Sequence, residues 1–188
     1  MVRLAPIKDV KTMIYAFFEL HERLPQVRLH IMGGVDDEEY GAECHALVET
    51  LAVRDLIFTG RVNVVEYMEK LDFTILTSIS EGQPLSVLES LAARRPCVTT
   101  EVGCCRELLE GAPGDDFGIA GFVCPPMYRK GLADAMERMC TSRARRIEMG
   151  ERGQRRVATY FLHEQMLTNY RALYDETARA FDLPREGE

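Results

Sequence analysis

Apolar positions along the chain follow two alternating rhythms. After Asp9, a good helix N-cap, Val10, Met13, Ile14, Phe17, Phe18 and His21 recur at helical spacing to about Leu24, which predicts an amphipathic helix. Residues 27–32 form a short apolar run closed by Gly33 and Gly34, and the acidic residues 36–39 that follow suit the start of a helix. The same strand-then-helix alternation returns at residues 56–59, 73–76, 97–100 and 121–124. From Tyr128 onward the pattern is wholly helical, over residues 132–139, 143–160 and 164 to about 181, and residues 184–188 are expected to fray. Short apolar strands alternating with helices predict an α/β fold, a Rossmann-like parallel sheet with helices on both faces. Residues 1–160 read as that domain and residues 161–188 as a C-terminal helix and tail. One boundary is irregular. The first strand, residues 1–4, is shorter than the usual five or six residues, as if the chain began inside a fold.

The composition narrows the class. The chain has 188 residues, a net charge of −7 and 46% hydrophobic residues, the profile of a cored globular domain. At this size, roughly 70% of the unfolded surface is expected to be buried in a single domain. The longest uncharged stretch, residues 117–128, is broken by Gly118, Gly121, Pro125 and Pro126, so no segment reaches the ~20 apolar residues of a membrane span. The start shows no charged leader and apolar core of a secretory signal. Net acidity argues against a nucleic-acid partner. The six cysteines include no CxxC pair and the four histidines lack ligand spacing, so neither zinc nor a disulfide framework is expected, and free thiols suit the cytoplasm.

Ligands of open α/β sheets sit at the carboxyl ends of the strands, and the loops there carry the candidate chemistry. The richest is the segment from Ser80 to Ala93. Pro84 suits the first position of a helix, Gly82 permits close approach of a ligand to the backbone, and the free amides of Leu85 and Ser86 would face an anion. Glu89 falls on the same helical face as Leu85 and Ser86, so its carboxylate leans toward that anion and suits a ribose diol. Glu81 stands just ahead of the helix. Two carboxylates beside an anion require countercharge, and Arg3 and Lys8, flanking the turn at Ala5 and Pro6, offer it.

These residues resemble the donor half of retaining glycosyltransferases of the GT-B fold, family 4. The resemblance rests on Arg3 and Lys8 ahead of a helix, and on Glu81 and Glu89 with Gly82 and Pro84 between them. It extends through residues 58–62, Val102-Gly103 with Glu107, and residues 121–126, covering about residues 1–160. Residues 5–9, 77–81 and 103–107 look most like the cytosolic glycosyltransferase of the Pel exopolysaccharide system. The resemblance implies catalytic roles for Arg3, Lys8 and Glu81: the cations hold the diphosphate and stabilise the leaving group, and Glu81 holds a hydroxyl of the transferred sugar. It implies that Glu89 binds the ribose, that Gly82, Gln83, Pro84, Leu85 and Ser86 contact sugar and phosphates, and that Gly33, Gly60, Arg61 and Val62 border the base. It implies a UDP-sugar co-substrate, UDP-glucose first, with no metal. It also implies an N-terminal acceptor domain outside this sequence, so that the chain alone is inactive, and a membrane-bound polysaccharide synthesis complex as a further partner. Where the family has Gly after the helix, this chain has Arg94, which a left-handed cap would strain.

Two rival functions fit the same donor half: a GT-B sugar-nucleotide epimerase and a non-catalytic nucleotide-sugar-binding module. Elsewhere plainer readings are preferred. Cys104 and Cys105 read as small residues opening a helix. The arginines between Arg143 and Arg156 read as a solvated face. Met166, Leu167, Tyr170, Leu173 and Tyr174 read as packing, with part of that face exposed.

Overall fold

The computed structural model describes residues 3–181. Five parallel strands alternate with helices: β1 (Leu29–Met32), β2 (Leu56–Gly60), β3 (Thr74–Leu76), β4 (Cys97–Thr100) and β5 (Gly121–Cys124). Helices α1 (Val10–Arg23), α2 (Glu38–Thr50), α3 (Val64–Met68), α4 (Leu85–Ala92) and α5 (Cys105–Glu110) fill the crossovers. Helices α6 (Arg129–Cys140), α7 (Arg143–Tyr160) and α8 (His163–Phe181) close the chain. Helix placement follows local chemistry. The Asp9 and Asp37 carboxylates accept the amides of Thr12 and Tyr40, and the Ser142 hydroxyl accepts that of Arg145, each satisfying a donor at a helix start.

The strands form two ladders rather than one, β1-β2 and β3-β4-β5. The segment between them is the short first strand, which among the described residues contributes only a parallel bridge from Leu4 to Val35. The Leu4 amide donates to Gly34 and the Leu4 carbonyl accepts from Asp36, while Ile7 accepts the Ile79 amide beyond β3. This segment therefore stitches the two ladders at their carboxyl ends.

Side-chain alternation assigns the two faces of the sheet. Val98, Phe122 and Cys124 join α1, α2 and α6 in one buried cluster, whereas Leu76, Cys97 and Ala120 join α4 and α5 in the other. Both faces are thus covered by helices.

Three details differ from the sequence expectations. Pro84 is the N-cap of α4, in extended conformation, and Leu85 is its first residue, because Pro84 supplies the carbonyl that accepts the Val87 and Leu88 amides. The arginines of α7 are not all solvated. Arg156 is 1% exposed, pairs with Asp115 at 2.5 Å and donates to the carbonyls of Leu108, Leu109 and Gly118, which a loop wrapped over α7 makes possible. Helix α8 buries none of its residues, and Met166, Tyr170, Leu173 and Tyr174 are exposed, so the exposure expected of part of that face extends along it. Residues 184–188, expected to fray, lie outside the described residues. Arg94 does take the left-handed conformation, at φ 58°, as the strained cap predicted.

Candidate functional site

The carboxyl ends of the strands gather the loops singled out in the sequence. After Leu4 the chain enters one turn of 3-10 helix, Pro6–Lys8, which ends on left-handed Asp9. Its position is fixed from the neighbouring loop. Thr77, fully buried at the end of β3, donates its hydroxyl to the carbonyls of Lys8 and Asp9, at 3.0 and 3.1 Å. This brings the Lys8 ammonium to 2.5 Å from Oε1 of Glu81, with the two side chains 20% and 15% exposed. Ser78 donates to the same carboxylate oxygen at 2.7 Å.

The Glu81 loop is held from its other side by the loop after β4. Thr100 donates to the Ser78 carbonyl at 2.6 Å, and the Cys104 amide donates to the Gly82 carbonyl at 3.0 Å. Gly103 is left-handed at φ 49°, and a Cβ there would collide with the carbonyl oxygens of Glu81 and Gly82. Only glycine allows the two loops to come this close.

Helix α4 opens immediately beyond, with the amides of Leu85 and Ser86 in its first turn, where no intrahelical acceptor precedes them. Gly82 and Gln83 are exposed, and a Cβ at Gly82 would meet open space. Glu89 is exposed on α4, one turn along from Leu85. At the adjacent strand ends, the Gly33 amide donates to the Gly60 carbonyl at 2.9 Å, and the Arg61 side chain lies against Gly34. Arg61 is exposed and Val62 half-buried beside that junction.

The structure thus joins Lys8, Glu81 and the start of α4 in one place, and brings Gly33, Gly60 and Arg61 together at the neighbouring strand ends. Arg3 is not joined to Lys8: its guanidinium pairs with Asp36 at 2.7 Å and remains largely exposed. Ser78, Thr77 and Thr100 are fully buried hydroxyls supporting the loops. Sequence reasoning used the first two only for resemblance and did not single out Thr100. Their signal was a run of hydroxyl residues at the ends of apolar strands, where a buried polar side chain must find a partner.

The thiols beside the site are subdued. Burial pushes Cys105 up to about 11 and also raises Cys104, which fits small residues opening α5 rather than nucleophiles. Among the described residues, no cluster of three or more His, Cys, Asp or Glu side chains is arranged to hold a metal ion. No described helix is long and apolar enough to cross a membrane.

Comparison with known proteins decides the family, because a family model described as glycosyl transferases group 1 matches residues 1–142. The chain belongs to that family. It is 27% identical, over 92% of its length and 43% of the relative, to N-acetyl-alpha-D-glucosaminyl L-malate synthase of Bacillus anthracis. It is 36% identical, over 46% of its length and 24% of the relative, to the O-antigen biosynthesis glycosyltransferase WbnH of Escherichia coli. The chain therefore spans less than half the length of these relatives. Among solved structures, Anabaena HepE in complex with UDP and glucose superposes with a TM-score of 0.82 at 20% identity, covering 93% of this chain and 46% of that one. The C-terminal domain of a Francisella tularensis group 1 family protein, LpcC, superposes with a TM-score of 0.74 at 19% identity, covering 86% and 83%. The fold is that of the C-terminal domain of a GT-B glycosyltransferase.

Proposed function

We propose that this chain is the donor-binding half of a retaining GT-B transferase, that it takes a UDP-sugar, and that UDP-glucose is the donor to test first. The observation that carries the reading is the Lys8–Glu81 pair beside the opening of α4: a cation, a carboxylate and free helix amides on loops at one end of the strands. Lys8 and the α4 amides bind the diphosphate, and Arg3 joins them by leaving its exposed pair with Asp36. As the glycosidic bond breaks, negative charge grows on the departing phosphate oxygen, and donors fixed before the reaction stabilise it at little reorganisation cost. Glu81 accepts a hydroxyl of the sugar, Glu89 accepts the ribose diol, and the Gly33, Gly60, Arg61 and Val62 surface borders the base. The positive charge this chemistry needs comes from side chains, so the reading calls for no metal.

Transfer requires an acceptor-binding domain facing these loops, and the chain is inactive without one. The acceptor is a growing exopolysaccharide or another glycan, handled in the cytoplasm with a membrane-bound synthesis complex as partner. This finer assignment is supported by the residues shared with the Pel-type sequence. The UDP choice is supported as well by HepE, solved in complex with UDP and glucose. Calorimetry of UDP and UDP-glucose on this chain, with and without magnesium and repeated for Glu89→Ala, tests the reading. Saturable binding without magnesium, weakened by Glu89→Ala, is expected. Strict dependence on magnesium, or no binding of either compound, overturns it.

A further inference from the structure

Oε1 of Glu81 accepts two donors, the Lys8 ammonium at 2.5 Å and the Ser78 hydroxyl at 2.7 Å. Among the described residues, its second oxygen, Oε2, has no hydrogen-bonding side chain. The two donors differ in what they can do next. Lys8 is a flexible cation, drawn toward any phosphate that enters. Ser78 is fully buried, and its backbone is fixed by the 2.6 Å hydrogen bond from Thr100 to its carbonyl. The neighbouring Ile79 amide is tied to Ile7 and the Thr77 hydroxyl to Lys8 and Asp9, so Ser78 cannot follow the ligand.

We infer that Ser78 is the positioning residue for sugar recognition: it holds the Glu81 carboxylate in place while Lys8 turns to the diphosphate, leaving Oε2 to accept a sugar hydroxyl. The inference rests on the donor-site reading above and adds a residue to it. Without Ser78, the carboxylate loses its fixed donor at the moment the ligand draws its mobile donor away. It then rotates or follows the ammonium, and the sugar hydroxyl meets an unplaced acceptor. UDP carries no sugar hydroxyl for Glu81, so its binding is indifferent to Ser78.

The test is calorimetry of UDP and UDP-glucose on the full chain and on Ser78→Ala, Ser78→Thr, Glu81→Gln and the Ser78→Ala/Glu81→Gln double variant. Thermal melts show which variants retain the fold. Ser78→Ala is expected to keep UDP affinity within about twofold while weakening UDP-glucose about tenfold, the scale of one hydrogen bond to a charged group. Ser78→Thr, which restores the hydroxyl, recovers most of that loss. In the Glu81→Gln background, Ser78→Ala adds little, because the group it positions is already gone. Equal weakening of UDP and UDP-glucose, no weakening of either, or full additivity in the double variant overturns the inference. If Ser78→Ala does not fold, Ser78→Cys, which keeps the shape of the side chain but donates only weakly, takes its place: a loss confined to UDP-glucose supports the inference, and an equal loss of both ligands, or of neither, overturns it. A wild-type chain that binds neither compound overturns the donor-site reading itself, and this inference with it.

Discussion

Lys8 and Glu81 stand 73 residues apart in sequence and meet at 2.5 Å across two strand-end loops. A carboxylate this close to the ammonium competes with any phosphate for it. Glu81→Gln removes that competition, so UDP is expected to bind the variant at least as tightly as the wild type, while UDP-glucose loses its advantage over UDP. Parallel titrations of the two ligands check this, and a loss of UDP affinity in Glu81→Gln contradicts it.

Gly103 is a second point of leverage. Its left-handed backbone lies against the Glu81 and Gly82 carbonyls, leaving no room for a side chain. Gly103→Ala is expected to cost about 1–3 kcal/mol of stability and to displace the Glu81 loop, lowering both the melting temperature and UDP affinity. An unchanged melt with unchanged binding would show that the loops do not depend on this contact.

The Asp115–Arg156 pair predicts a pH dependence. The Arg156 guanidinium holds the Asp115 carboxyl below its ordinary value. A carboxyl depressed in the folded state contributes stability above its ordinary value near ~4 and loses it as the pH falls through the folded value. At neutral pH, Asp115→Asn leaves Arg156 buried without its counterion, at a cost of about 3–5 kcal/mol. In acid the gap between wild type and variant is expected to narrow. Melts of both proteins across pH 2–7 check this, and a constant gap contradicts it.

Burial holds the thiols in their unreactive form. Cys97 is pushed up to about 12, and Cys44 and Cys105 to about 11. At pH 7.5, where ordinary thiols near ~8.5 are already partly ionised, the folded chain is expected to react slowly with a thiol reagent at these three positions and fully once denatured. Rapid labelling of Cys105 in the folded state would contradict the burial assigned to it.

Most of the alternation was legible because it depends on period alone. Residues 10–24 and 143–160 carry helical spacing, and the apolar run at 121–124 is bounded by turn residues, so helices α1 and α7 and strand β5 fall where the pattern puts them. The proximity of Lys8 and Glu81 was legible only as two loops at the same end of a sheet. The hydroxyls that align them were not, because a buried serine and an exposed one look alike in sequence. Arg156 was misread for a related reason: a run of arginines describes a solvated face unless a distant loop, here at Asp115 and Gly118, folds over one of them.

On the proposed donor-site reading, Lys8, Glu81 and the opening of α4 form one site for a nucleoside diphosphate-sugar. Calorimetric titration of UDP into this chain and into Lys8→Ala decides it. Saturable binding to the wild type, weakened about tenfold or more in Lys8→Ala as expected for loss of a charge-assisted contact to phosphate, is the predicted result. Equal affinity for both proteins, or no binding to the wild type, would contradict the claim.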